Sequence, residues 1–177
     1  MARLTRRELI HTGLGGLALL ALGRCARPGT ATGPFQDPGY AYRALTGGDR
    51  EIAAAVGAVM LAGALPSDAA AHGVALVQVV RGVDVAIAGL PPYAREEIGQ
   101  LFGMLRFPLT RALTTGIWSS WTDASSSAVD GFLSRWRFSN FDLLRSGYQA
   151  LHQLVMASWY GNGASWTRIG YAGPPPL

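Results

Sequence analysis

The sequence predicts an all-α domain, a single bundle of about five helices with short connections and an extended Gly/Pro-rich C-terminal tail. Three observations carry this. Apolar residues recur at helical spacing over most of the chain from Asp49 onward, no stretch alternates with a period of two, and prolines at 66, 91, 92 and 108 separate the periodic segments. The divisions that follow are a leader at residues 1–27, a flexible tether rich in Gly, Pro and Thr at 28–45, and a helical domain at 46–177 whose tail starts at about residue 161.

The first helix is expected to start at Asp49, which caps the run Arg50, Glu51, Ile52, Ala53. It continues through Val59, Met60 and Leu61 to Leu65, where Pro66 stops it. A second helix fits residues 67–88. Gln78, Arg81 and Asp84 stand three apart and form a polar stripe for water on an otherwise apolar rod. Asp68, His72, Arg81 and Asp84 would each be costly in lipid, so this reads as a buried core helix and not a membrane span. Pro91 and Pro92 open a third helix from Tyr93 to about Leu105, and Pro108 ends or kinks it before Leu109 to Leu113 resume.

Helices then fit 128–136 and 141–160. In the last of these Leu144, Tyr148, Leu151, Val155 and Trp159 recur at helical spacing, with Arg145, Gln149 and His152 on the other face. Ser139 or Asn140 is the expected cap, with Asp142 three after Ser139 in a capping-box arrangement.

The leader is built from parts with separate physical meaning. Arg3, Arg6 and Arg7 make a basic front, and the apolar stretch after it reaches about two-thirds of the roughly 20 residues that span hydrocarbon. The pair Arg6 and Arg7 within Thr5-Arg6-Arg7-Glu8-Leu9-Ile10 is a twin-arginine export signal, read by the twin-arginine translocase. Its glycines weaken the apolar stretch, and Arg24 and Arg27 disfavour the general secretory route. Leu22-Gly23-Arg24-Cys25 has the leucine and cysteine of a lipid-attachment box, with Arg24 where a small residue is wanted. Cys25 is therefore a candidate for lipidation, beside cleavage of the leader or its retention as an anchor. The expected location is periplasmic, on the outer side of the cytoplasmic membrane.

Charge supports the same division. The chain has 15 arginines, no lysine and 11 acidic residues, for a net charge of +4. Residues 1–27 hold five of those arginines and only Glu8, so they account for the whole excess. Nucleic-acid binding needs a basic face on the folded domain, and residues 28–177 are neutral.

No residue pattern in the sequence marks a catalytic, cofactor-binding or metal-ligating site. Cys25 is the only cysteine, which excludes a disulfide framework, a thiolate metal site and covalent haem attachment in the domain. His72 and His152 lack the paired spacing of helical metal ligands, and His11 belongs to the leader. Ser125, Ser126 and Ser127 are expected in a loop without a nucleophile elbow, and Glu96 and Glu97 point to different helix faces. Folded export suits a chain with a cofactor or one with a cofactor-bearing partner. Without a cofactor site, the partner reading leads.

Aromatic residues gather in two places. Trp118, Trp121 and Trp136 flank a polar loop at 119–127, and Trp159, Tyr160, Trp166 and Tyr171 crowd the C-terminus. Trp136 and Trp159 are expected to cap the core. A segment as rich in Gly and Pro as 161–177 buries little against itself, so its aromatics suit docking along a partner surface. The docking set is Trp159, Tyr160, Trp166, Ile169, Gly170, Tyr171, Gly173, Pro174 and Pro175. If the tail instead belongs to the core, the interface is expected on the loop around Trp118 and Trp121.

The run Gly147-Tyr148-Gln149-Ala150-Leu151-His152-Gln153-Leu154-Val155-Met156-Ala157-Ser158-Trp159-Tyr160-Gly161, with Ser165-Trp166-Thr167-Arg168-Ile169-Gly170-Tyr171-Ala172-Gly173-Pro174-Pro175 after it, resembles the end of a known family. This is the small subunit (gamma-type, subunit 3) of gluconate 2-dehydrogenase and related membrane-bound flavin sugar dehydrogenases. There a helix ending near an aromatic-Tyr-Gly leads into a Trp, an Ile-Gly-Tyr and a Gly-Pro tail, and the chain carries a twin-arginine leader. The resemblance covers roughly the last 35 and first 25 residues; the middle is similar only in helical character and length.

The resemblance implies a non-catalytic subunit with no cofactor of its own. Its partner would be a large FAD-dependent dehydrogenase of the glucose-methanol-choline type that lacks an export signal, with a cytochrome c subunit carrying haem c as a third member. The alternative is a free-standing periplasmic or lipid-anchored helical binding protein, which would need a pocket inside the bundle.

Overall fold

The computed structural model describes residues 37–166 together with Gly170, Ala172 and Gly173. Its elements are α1 (Gly47–Met60), α2 (Ala69–Ala88), α3 (Pro92–Arg106), α4 (Pro108–Thr115), α5 (Ser126–Arg137), α6 (Asp142–Tyr160) and a single turn, α7 (Gly163–Trp166). The fold is an all-α bundle, with no strand among the described residues. Arg6, Arg7 and Cys25 of the leader, residues 28–36 of the expected tether, and Ile169, Tyr171, Pro174 and Pro175 of the docking set lie outside the described residues.

Helix α1 is the hub because its side chains are small. Ile52 and Val56 are fully buried, and Ala53, Ala54 and Gly57 lie buried beside them. A Cβ on Gly57 would stand 3.4 Å from Val79 and 3.5 Å from Leu76, so α2 comes close to the α1 backbone. On its other sides α1 meets α3, α5 and α6.

The helix starts at Gly47, ahead of the expected Asp49 cap. Thr46 is the N-cap residue, and Asp49, one turn in, accepts the Thr46 N–H at 2.9 Å and its hydroxyl at 2.5 Å. Arg106 at the end of α3 pairs with the same carboxylate at 3.0 Å, which removes the need for water around it. At the other end α1 stops at Met60 and not at Leu65, because Gly63 turns the chain at φ +83°. Leu61 and Leu65 remain buried, so the apolar pattern outruns the helix.

In α2 the largest departure from the sequence reading is Asp84. It was expected on a water-facing stripe and is fully buried. Its carboxylate accepts backbone N–H groups from Arg43 at 3.0 Å, Ala44 at 2.8 Å and Leu45 at 2.9 Å, and the Tyr40 hydroxyl at 3.4 Å. Residues 37–45 are thus a strap laid across α2 and not a flexible tether. Asp37 pairs with Arg81 at 2.5 Å, and this hydrogen bond holds the Asp37 carboxyl below its ordinary value.

By length and composition α2 could cross a membrane. One face of it, with Val79, Val80, Val83 and Ile87, lies in the bundle core, while Val74 and Val85 stay exposed.

The most extensive packing is between α2 and α6. It is possible because Gly82 faces Ser158: a Cβ on Gly82 would lie 2.7 Å from the Ser158 Cβ and 3.1 Å from its Cα. Along α6, Leu151, Val155 and Trp159 are buried as expected, Leu144 and Tyr148 pack beside them, and Leu154 and Ser158 widen the buried band. Phe141 is the N-cap position, in place of Ser139 or Asn140. Asp142 pairs with Arg145 and makes no capping box; the Ser139 hydroxyl oxygen accepts the Phe141 N–H at 3.1 Å.

Prolines open α3 and α4 as their fixed φ allows. The triple serine begins α5 and is not a loop, with Ser125 accepting the Ala128 N–H at 3.2 Å. Guanidinium groups hold the turns. Arg95 donates to the carbonyls of Ala88 and Leu90 at 2.7 and 3.1 Å, and Arg145 to that of Ser139 at 2.6 Å.

The Gly82 contact makes a quantitative demand. Ser158 is buried and its hydroxyl is tied to the Leu154 carbonyl at 2.6 Å, so it has nowhere to move. Gly82→Ala should destabilise the bundle by about 1–3 kcal/mol through overpacking, a fall of roughly 2–12 °C in Tm for a chain of this size. Gly73→Ala, in the same helix with nothing within 4 Å, should leave stability unchanged or raise it by up to about 1 kcal/mol. Thermal melts of both variants check this, and a Gly82→Ala protein as stable as wild type would refute the close approach.

Candidate partner-docking surface

Between α4 and α5 the chain makes a loop whose every turn has a physical cause. Gly116 ends α4 at φ +72°, and a Cβ there would press on the Arg135 guanidinium at 3.1 Å. Thr115, fully buried, donates its hydroxyl to the Arg111 carbonyl at 2.7 Å and accepts the Ile117 N–H at 3.1 Å. Arg111 is itself buried and donates back to the carbonyls of Ile117 at 3.3 Å and Trp118 at 3.5 Å. Arg135 donates to the Thr115 carbonyl, and the Trp136 indole to that of Thr114 at 3.0 Å.

Beneath the loop runs an aromatic ladder. Trp121 packs edge-on against Phe132 with ring centroids 5.8 Å apart, and Phe132 against Trp136 at 5.3 Å. Trp121 is 4% exposed and donates to the Leu105 carbonyl at 2.9 Å. Ile117, next to Gly116, is buried as well. The following residue, Trp118, is 77% exposed. Two tryptophans three residues apart thus have opposite tasks: Trp121 anchors the loop, and Trp118 is displayed by it.

More apolar surface lies on the preceding helix. Leu109 and Leu113, four apart on α4, and Phe107 at its start are all exposed. A second group, Phe138, Phe141 and Leu143, is exposed where α5 turns into α6. Nearby, a groove of about 550 Å³ is lined by Ile98, Leu101 and Met104 of α3, Leu144 and Gly147 of α6, and Trp136. Gly147 has no room for a side chain, since a Cβ would stand 2.6 Å from the Trp136 ring.

The sequence-predicted docking set is divided by the fold. Trp159 is 4% exposed inside the core, so it is a packing residue and not part of a free docking face. Tyr160 remains half exposed, and its carbonyl accepts the Trp166 indole N–H at 2.7 Å. The stretch from 161, expected to be extended, is folded through Trp166. Ser165 is buried and donates to the Trp159 and Asn162 carbonyls, each at 2.7 Å. Gly170 and Gly173 have positive φ, and Gly173 lies against the Trp166 ring, where a Cβ would be 3.1 Å from it.

His72 touches the Pro66 carbonyl at 3.2 Å, and His152 stacks on Tyr148. Among the described residues no three His, Cys, Asp or Glu side chains are grouped as metal ligands. The chain matches no protein-family description, no curated protein and no solved structure.

The loop geometry makes Arg111 the residue that fixes Trp118. Arg111→Met should leave the Ile117 and Trp118 carbonyls without their donor at a cost of about 1–3 kcal/mol. The expected result is faster amide hydrogen exchange across residues 116–120 with helical content retained. Unchanged exchange in this loop would mean that Trp118 is positioned by other contacts.

Proposed function

We propose that this chain is the non-catalytic small subunit of an exported flavin dehydrogenase, escorting a large FAD-bearing partner through the twin-arginine route to the periplasm. The observation that carries the reading is the resemblance of both chain ends to that family, with Arg6 and Arg7 in the leader. The exposed Trp118 on a pinned loop supports it. A large aromatic displayed on a backbone that is already ordered suits the anchor of a protein interface, because less backbone freedom remains to be lost on binding. Docking then uses Trp118 with Leu109 and Leu113, and Tyr160 and Trp166 at the other aromatic cluster. Catalysis and FAD belong to the partner, and electrons leave through a cytochrome c subunit.

The free-standing binding protein stays as the second reading because of the groove between α3 and α6. Its volume is within the range of small-ligand sites, and its lining is largely apolar.

Isolation of the affinity-tagged chain from the periplasm separates the two readings. The escort should come with stoichiometric FAD protein and dehydrogenase activity; a chain isolated alone without flavin would overturn it. Trp118→Ala should weaken the complex by about 2 kcal/mol or more, roughly 30-fold, with the Tm of the isolated chain unchanged. Replacing Arg6 and Arg7 together by Lys should leave both the chain and the flavin activity in the cytoplasm, as fractionation would show.

A further inference from the structure

The contacts of the strap are concentrated on one side chain. Asp84 takes three consecutive backbone N–H groups and a phenol, while of the strap residues only Leu45 is fully in the core. Outside this catch the strap is held by the Asp37–Arg81 pair, by Arg81 lying 5.1 Å over the Tyr40 ring, by Arg50 lying 4.6 Å over the Tyr42 ring and by Tyr42 and Ala44, half-buried against the core. Pro38, Gly39, Ala41 and Arg43 are exposed.

Two physical points follow. Three N–H groups that share one acceptor lose it together, so the strap detaches as a unit and does not fray residue by residue. Detachment also leaves no stranded charge. The carboxylate gives up its water when the strap covers it and regains water when the strap leaves, which offsets part of the hydrogen bonding lost on opening. The sequence of α2 agrees, because Gln78, Arg81 and Asp84 form the polar stripe of a helix whose pattern is complete with that face in water.

We propose that residues 37–45 are a latch that opens and closes against a bundle that stays folded, with Asp84 as its catch and Thr46, the cap of α1, as its fixed end. Closed, it holds Asp37 against Arg81 of α2. Open, its nine residues can carry Asp37 up to roughly 30 Å from Thr46, at about 3.3–3.6 Å per extended residue. The latch is independent of the docking surface, so its failure leaves the escort reading untouched.

Trypsin reads the latch directly, since the chain has no lysine and Arg43 is the one arginine within residues 37–45. In the full chain, Asp84→Ala should raise cleavage after Arg43 on the order of tenfold or more, the loss of one charge-assisted hydrogen bond being enough for that. Cleavage after Arg95 in α3 and the far-UV circular dichroism should stay at wild-type values. Parallel acceleration at Arg43 and Arg95, or no acceleration at Arg43, would overturn the proposal.

Should Asp84→Ala yield no folded protein, hydrogen exchange of the wild-type chain decides. Amides of Arg43, Ala44 and Leu45 should exchange faster than those of Val80 and Val83, by an opening insensitive to low denaturant. Equal rates with the same denaturant dependence would show that strap and bundle open only together.

Discussion

With α2, α3, α5 and α6 all in contact with α1, the width of that one helix sets where the other elements lie. Ala53, Ala54 and Gly57 keep it narrow, and Ile52 and Val56 fill the spaces that remain. Interiors pack at crystal-like density, so a helix with small side chains draws its neighbours inward and a wider one would hold them apart. The same device recurs at two further close approaches: Gly82 against Ser158, and Gly147 against the Trp136 ring. The polar groups near the hub follow from this closeness. Asp49 and Asp84 are shut away from water, and each gathers donors from a different part of the chain.

Much of the fold was legible in the sequence because its punctuation is local. Pro92 and Pro108 start helices for reasons confined to a few residues, and the apolar band of α6 was read from its spacing. Signals that depend on distant chain were missed. The pattern of α2 assigned Asp84 to water because periodicity cannot register that residues 43–45 return to cover it. Asp49 was taken as the cap because a carboxylate suits that position, whereas Arg106 and Thr46 together draw it to the third helical position.

The candidate docking surface was legible only as a choice of residues. Trp118 and Trp121 have similar sequence surroundings, and what separates them is tertiary: the Leu105 carbonyl and the Phe132 ring receive Trp121, while Arg111 turns the backbone that carries Trp118 outward. Likewise Trp159 and Trp166 belong to the same aromatic cluster in sequence but to different environments in the fold. A pinned loop matters for recognition because the ordering of its backbone is completed during folding. Less freedom is then left for a partner to remove.

The turns of this bundle are closed by guanidinium groups on peptide carbonyls, from Arg95, Arg111, Arg135 and Arg145. A carbonyl carries no ionisable proton, and a guanidinium keeps its charge across the whole biological pH range. Contacts of this kind join an ion to a dipole, and added salt weakens them less than it weakens a pair of opposite charges at the surface. These four carbonyl joints are therefore indifferent to acidity and ionic strength over a wide span, unlike the Asp49–Arg106 pair between α1 and α3. A chain that folds in one compartment and works in another, as proposed for this one, meets a change of medium on the way, and a framework joined in this manner carries its shape through that change.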